Sequence, residues 1–494
     1  MNEYGGTSLS LLTDLYQLTM AYGYWKHGKA EQQAAFHLFF RSNPFGGGYV
    51  IAAGLEPVLD FIRAYRFTAD DGAFLGSITG NDGERLFEPA FLDYLALLKL
   101  TLDLDAIPEG TVVFPHEPLL RVRGPILQCQ LLETALLNIV NFQSLIATKS
   151  ARIVMAAKGD PILEFGLRRA QGIDGALAAS RAAFIGGCTA TSNVLAGKRF
   201  GIPVKGTHAH SWVMSFDSEP QAFAAYAEAM PNNCVFLVDT YDTLEGVRHA
   251  IDVGHQLKRN GHRMVGIRLD SGDLASLSIA ARNLLDEAGF ADATIVASND
   301  LDERLIQSLK LQEATISVWG VGTKLVTAFD QPALGGVYKL GAIQDDTQKW
   351  QPKIKVSEQL IKTSTPGILQ VRRYYDSKGI AVADVIYNEL QPPSKNCISV
   401  DLQDSTQRRE LSSAFAFEDQ LLPTIRGGDF VTPSPALPEV RARTLTQLQK
   451  FQSSILRFDN PHKYPVGLEE QLHELKSRLV HEARCGVKAN SVQI

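Results

Sequence analysis

At 494 residues with 45% hydrophobic content, the chain is long enough to bury more than one core, so two or three domains are expected. A formal net charge of -6, with no long Lys/Arg block, removes the electrostatic case for a nucleic-acid binder, and any anionic ligand must meet a local cluster of basic side chains. No apolar run approaches the roughly 20 residues that span a bilayer, and the start Met1-Asn2-Glu3-Tyr4-Gly5-Gly6 lacks the basic and apolar regions of a secretory signal, so a cytoplasmic protein without membrane contact is expected.

In chain order, residues 1–115 read as an α+β part. A helix is predicted around Ser10 to His27, and Leu11, Leu15 and Leu18 form its apolar stripe. Tyr16 falls beside that stripe, so the pattern alone predicts its burial. A strand is predicted at Ala34 to Phe40. Residues 116–345 then alternate short β-branched runs with helical patterns, the signature of a parallel sheet covered by helices. Predicted strands are Ile162 to Phe165, Ile202 to Lys205, Val235 to Asp239, Met264 to Leu269, Thr294 to Ala297 and Ile316 to Trp319. Six such units predict a (β/α) barrel. Residues 346–494 become irregular, with a strand at Gln370 to Tyr375 and a polar helical tail from Pro438, and are expected to pack beside the first part. Cys129, Cys188, Cys234, Cys397 and Cys485 show no metal-ligand spacing, which predicts free thiols in a reducing compartment.

Polar and glycine-bearing residues follow each predicted strand, and a barrel gathers such strand ends on one face. After Ile202 to Lys205 come Gly206-Thr207-His208-Ala209-His210. An extended tip puts both histidines on one face, and parity alone does not choose between them. Arg268-Leu269-Asp270-Ser271-Gly272-Asp273 offers a cation and two carboxylates. They can grip an anionic substrate and Mg²⁺ together, or Arg268 and Asp270 can simply pair. Phe165 with Arg168 and Arg169 suits stacking on a flat ring beside phosphate or carboxylate, the rival role for Phe165 being plain core. Gly320-Val321-Gly322-Thr323 can cradle a phosphate or form a tight turn. It is not a dinucleotide fingerprint, because Leu325 stands where the third glycine belongs, and no Walker A loop exists. Asp239 adds a carboxylate at the rim.

Taken together, Thr13-Asp14-Leu15-Tyr16-Gln17, Glu164-Phe165-Gly166-Leu167-Arg168-Arg169-Ala170-Gln171-Gly172, Gly206 to Ser211, Arg268 to Asp273 and Gly320 to Thr323 closely resemble the nicotinate phosphoribosyltransferases, in order and over essentially the whole chain. The resemblance implies an irregular (β/α) barrel, an α/β sandwich domain made by the two chain ends, and a homodimer with sites at the subunit boundary. It also implies that nicotinate and 5-phosphoribosyl 1-diphosphate give nicotinate mononucleotide and diphosphate in NAD salvage, with ATP as co-substrate through a phosphohistidine. By motif position the acceptor is His210, and Thr207 lies near nicotinate. Phe165 and a partner-derived Tyr16 would sandwich the ring, and Arg268 would hold its carboxylate. Asp239 and Asp270 would orient Mg²⁺, Arg168 would neutralise phosphate, and Gly320, Gly322 and Thr323 would bind the 5-phosphate.

The related nicotinamide enzymes carry an aspartate in the stretch matching Gly186-Gly187-Cys188-Thr189-Ala190-Thr191. None stands there in this chain, which predicts preference for the acid over the amide. The competing expectations are a nicotinamide phosphoribosyltransferase and a catalytically silent nucleotide-binding barrel.

Overall fold

The computed structural model describes residues 9–359, 362–394 and 396–485. It divides into a central unit, Ile146–Pro332, and a terminal unit built from Met1–Leu145 with Ala333–Ile494. Both divisions fall inside the expected 116 and 345, because the strand Leu120–Pro125 and the strand Gly336–Gln344 belong to an antiparallel sheet of the terminal unit.

In the central unit the strands are β1 (Ile162–Glu164), β2 (Ala190–Thr191), β3 (Val235–Leu237), β4 (Gly266–Leu269), β5 (Thr294–Ala297) and β6 (Val318–Val321). They form one sheet in the order β2-β1-β6-β5-β4-β3, and every pair is parallel. Helices cross between them: α1 (Ile173–Ile185), α2 (Val194–Phe200), α3 (His210–Met214), α4 (Glu219–Ala229), α5 (Thr243–Arg259), α6 (Leu274–Glu287), α7 (Glu303–Leu311) and α8 (Thr323–Val326). Parallel strands covered on both faces need continuous apolar runs, and Ile267, Leu269, Ile295, Val296, Ala297, Trp319 and Val321 are all buried.

The predicted strand Ile202 to Lys205 is corrected: only Val204 pairs, in an isolated parallel bridge with Thr191. Pro203 at its centre has no N–H to donate to a ladder. The short strand β2 was not foreseen. Three of the acids that follow strands start helices. The carboxylates of Asp242, Asp273 and Asp302 accept backbone N–H groups at the first turns of α5, α6 and α7, each cap worth about 1 kcal/mol.

In the terminal unit, three adjacent strands from the N-terminal part lie between two pairs from the C-terminal part in one seven-stranded sheet. The pairs Gln33–Phe40 with Gly336–Gln344 and Asp103–Ala106 with Leu422–Arg426 join the halves. A second, six-stranded sheet contains Leu369–Tyr375, Ala381–Asn388 and Val466–Glu469. Tyr16 lies here on the helix Leu15–Lys26, and it is 47% exposed. That corrects its expected burial: Leu15 is also exposed, and only Gln17, Leu18 and Ala21 of this helix are buried.

Candidate active site

The strand ends of the central unit supply the walls of one cleft. Phe165, Arg168, Arg268, Asp270, Gly320, Gly322 and Thr323 line one solvent-open cleft with about 510 Å³ of empty space. Arg169, Ser298, Asn299 and Asp300 complete its wall. The three residues after β5 were legible as a strand tip, but nothing in their spacing pointed to a role.

The Phe165 ring rests where Gly320 has no side chain. A Cβ on Gly320 would stand 2.7 Å from Cδ2 of the ring and 2.8 Å from Cε2. The Arg268 guanidinium lies 5.7 Å from the ring centroid. Phe165 is half-buried, so its ring belongs to the cleft wall and not to a sealed core.

Arg268 and Asp270 form the ion pair that was one of their two expected roles. Nη2 of Arg268 is 2.8 Å from Oδ1 of Asp270, Nε donates to Ser298 Oγ at 2.7 Å, and Nη1 donates to Thr207 Oγ1 at 3.1 Å. A guanidinium has five N–H groups, so one remains on each terminal nitrogen. The Ser298 hydroxyl donates to Asp270 Oδ1. Burial pushes the Asp270 carboxyl up, but the Ser298 hydroxyl and the Arg268 charge outweigh it and hold it below its ordinary value.

Asp270 is fixed from a second side, its backbone N–H donating to Asp239 Oδ2 at 2.8 Å; Ser271 Oγ donates to the same oxygen at 2.7 Å. Asp239 Oδ1 is buried without a hydrogen-bond partner. Asp273 is corrected: its carboxylate is spent on the start of α6, accepting from Ala275 and Ser276, so the motif offers one carboxylate to the cleft.

The two histidines part ways where extended backbone at Ala209 gives way to α3, of which His210 is the first residue. His208 is buried at 8% exposure, with the Tyr226 ring 4.9 Å away. Its Nε2 accepts the Leu237 N–H at 3.2 Å, which leaves the proton on Nδ1, facing the Ala209 carbonyl. Burial lowers its pKa to about 4. The His210 side chain is 40% exposed; Thr240 Oγ1 holds its Nδ1 at 3.1 Å, and its Nε2 stands 3.9 Å from Asp270 Oδ2.

Arg168 and Arg169 are exposed. Glu164 is spent: buried at the end of β1, its carboxylate accepts the Gly166 N–H, Ser180 Oγ and Thr191 Oγ1.

A ligand bound here would meet a flat aromatic wall, two free guanidinium N–H groups, the exposed Arg168 and Arg169, and one half-exposed imidazole. Comparison with known proteins decides which chemistry that serves. Residues 161–389 match the model of the nicotinate phosphoribosyltransferase (NAPRTase) family, 11–141 its N-terminal domain and 369–476 its C-terminal domain. The nicotinate phosphoribosyltransferase of Bacillus subtilis is 45% identical over 98% of this chain and 99% of its own length. The chain belongs to the nicotinate phosphoribosyltransferase family. Its Bos taurus relative is 36% identical over 95% of this chain and 96% of its own. The crystal structure of human nicotinic acid phosphoribosyltransferase superposes with a TM-score of 0.84 at 34% identity, covering 94% of this chain and 99% of that one. That enzyme therefore shares the α/β architecture described above. No helix among the described residues is long and apolar enough to cross a membrane.

Proposed function

We propose that the cleft joins nicotinate to 5-phosphoribosyl 1-diphosphate, giving nicotinate mononucleotide and diphosphate for NAD biosynthesis, with ATP hydrolysed through a phosphohistidine at His210. The observation that carries this reading is Arg268 poised over Phe165 with two N–H groups uncommitted. A pyridine ring on Phe165 would present its carboxylate to that fork in a charge-assisted, two-point contact. The pyridine nitrogen is unprotonated at neutral pH, so no general base is needed. The site's task is to align that nitrogen with C1 of the ribose and to stabilise an oxocarbenium-like transition state.

Arg168 would neutralise phosphate charge, and Gly320, Gly322 and Thr323 would hold the 5-phosphate through close backbone approach and a hydroxyl. Thr207, bonded to Arg268, would set the guanidinium near nicotinate. Thr240 on Nδ1 leaves Nε2 of His210 as the nucleophile toward ATP, whereas the Nε2 lone pair of His208 is engaged by Leu237. Asp239 and Asp270 fit Mg²⁺: the unpartnered Asp239 Oδ1 and the open Asp270 Oδ2 offer two carboxylate oxygens, and Mg²⁺ commonly takes its other ligands from substrate phosphate and water. When bound, the ion would offset the charge of the departing diphosphate.

We read the six-stranded parallel sheet as the wall of an irregular (β/α) barrel. Its edges are β2, extended by the Val204 bridge, and β3; the His208 to Leu237 bond spans the gap between the Val204 segment and β3. The two sheets of the terminal unit are read as the sandwich. Tyr16, exposed beside Leu12, Leu15 and Met20, fits a homodimer in which the partner's copy of this helix completes the ring sandwich. A cytoplasmic location accords with four of five free cysteines being buried.

Acid is favoured over amide because both oxygens of the buried Glu164 already accept hydrogen bonds and the Gly186 to Thr191 stretch carries no carboxylate to accept an amide N–H₂. The test is chromatographic detection of mononucleotide after mixing the purified chain with phosphoribosyl diphosphate, ATP, Mg²⁺ and either pyridine. Product from nicotinate supports the proposal. Product from nicotinamide alone, or none from either, rejects it.

A further inference from the structure

We propose that Ser298 is a positioning residue that locks the Arg268–Asp270 pair, so that one carboxylate oxygen of Asp270 stays open and the outer N–H groups of Arg268 are kept for the substrate carboxylate. This rests on the cleft being the nicotinate site.

A hydroxyl has one hydrogen to donate and two lone pairs, and Ser298 uses both functions on the pair. Its Oγ accepts the Arg268 Nε–H at 2.7 Å and donates to Asp270 Oδ1. The residue is 4% exposed. Its backbone N–H donates to the Leu269 carbonyl at 2.8 Å, so β5 delivers the hydroxyl to β4 as a fixed part of the sheet. The consequences fall on both neighbours. Asp270 Oδ1 accepts two bonds, from Ser298 and from Arg268 Nη2, which orients the carboxylate and turns Oδ2 toward Nε2 of His210 at 3.9 Å. The Nε bond fixes the guanidinium in rotation about its own axis. Without it the remaining Thr207 and Asp270 bonds would be free to trade with the substrate carboxylate, and the fork would lose its aim.

Ser298→Ala removes both bonds and little volume. The expected result is a KM for nicotinate raised by about tenfold or more, a KM for phosphoribosyl diphosphate changed less than about twofold, and slower transfer of label from ATP to His210. Ser298→Cys keeps the volume without a strong donor and should show the same defects, while Ser298→Thr, which retains the hydroxyl, should recover most of the nicotinate KM. An unchanged nicotinate KM in Ser298→Ala and Ser298→Cys would overturn the proposal, as would equal rises in both KM values. If Ser298→Ala does not fold, Ser298→Cys carries the same test. Arg268→Ala is run in parallel: if it leaves the nicotinate KM unchanged, the reading of the cleft fails, whereas a large effect there with none at Ser298 rejects the positioning role alone.

Discussion

The Nε2 atom of His208 accepts the backbone N–H of Leu237 at 3.2 Å, and this bond separates two histidines that stand two residues apart. One imidazole is consumed as a structural acceptor between the segment after Val204 and β3. The other, at the start of α3, keeps an exposed Nε2 beside Asp270.

His208→Ala should therefore weaken the fold and leave chemistry at His210 available. Removing the ring orphans a buried N–H and opens a void among Phe223, Tyr226 and Phe236. A loss of about 2–4 kcal/mol is expected in denaturant unfolding, with phosphate labelling retained at low temperature. Full stability with lost labelling would reverse the assignment.

Arg268→Ala should raise the KM for nicotinate by about 10- to 100-fold, the weight of charge-assisted bonds to one carboxylate. The KM for phosphoribosyl diphosphate should move far less. Steady-state kinetics with each substrate varied in turn checks this, and equal effects on both contradict the carboxylate role.

Gly320→Ala should displace the Phe165 ring, since the new Cβ would stand 2.7 Å from its edge. Nicotinate binding should weaken by tenfold or more while the sheet stays folded, because Gly320 has an ordinary strand backbone. Isothermal titration with nicotinate, beside a circular dichroism spectrum, separates those outcomes.

Acid should destabilise the fold well above the carboxylate range. Burial lowers His37 to about 3, and His116 and His208 to about 4. Each folded value lies below the unfolded one near 6.5, so the unfolded chain binds more protons between them. Stability from these neutral rings is fully present above pH 6.5 and is lost as pH falls through that window, at up to about 1.4 kcal/mol per ring per unit. Thermal unfolding from pH 7 to 5 should show a falling midpoint, less steep in His208→Gln. A flat profile would contradict the neutral, buried assignment.

The site was legible where chemistry sits directly after a β-branched run, since a short strand exposes its tip residues and glycine, Arg, Asp and His have little other reason to cluster there. Phe165, Arg268, Asp270 and Gly322 line the one cleft for that reason. Ser298 was named within a tip yet had no visible task, because its partners Arg268 and Asp270 lie about 30 residues earlier and meet it only through the register of β4 with β5. The division at Leu145 was hidden because it falls inside the continuous helix Glu133–Ala156, where no turn or linker marks the change. Tyr16 misled because a helical stripe shows which side is apolar but not how far burial extends around it. Asp273 misled because a carboxylate before a helix serves capping and ligand binding with the same residue type.

The central claim is tested most directly by trapping the phosphate. The wild-type chain is mixed with γ-labelled ATP and Mg²⁺, the acid-labile label is located by tandem mass spectrometry, and nicotinate with phosphoribosyl diphosphate is then added. The account predicts label on His210, absent from His210→Ala, that is discharged as mononucleotide forms; label on His208, or label on His210 that persists while product accumulates, would contradict it.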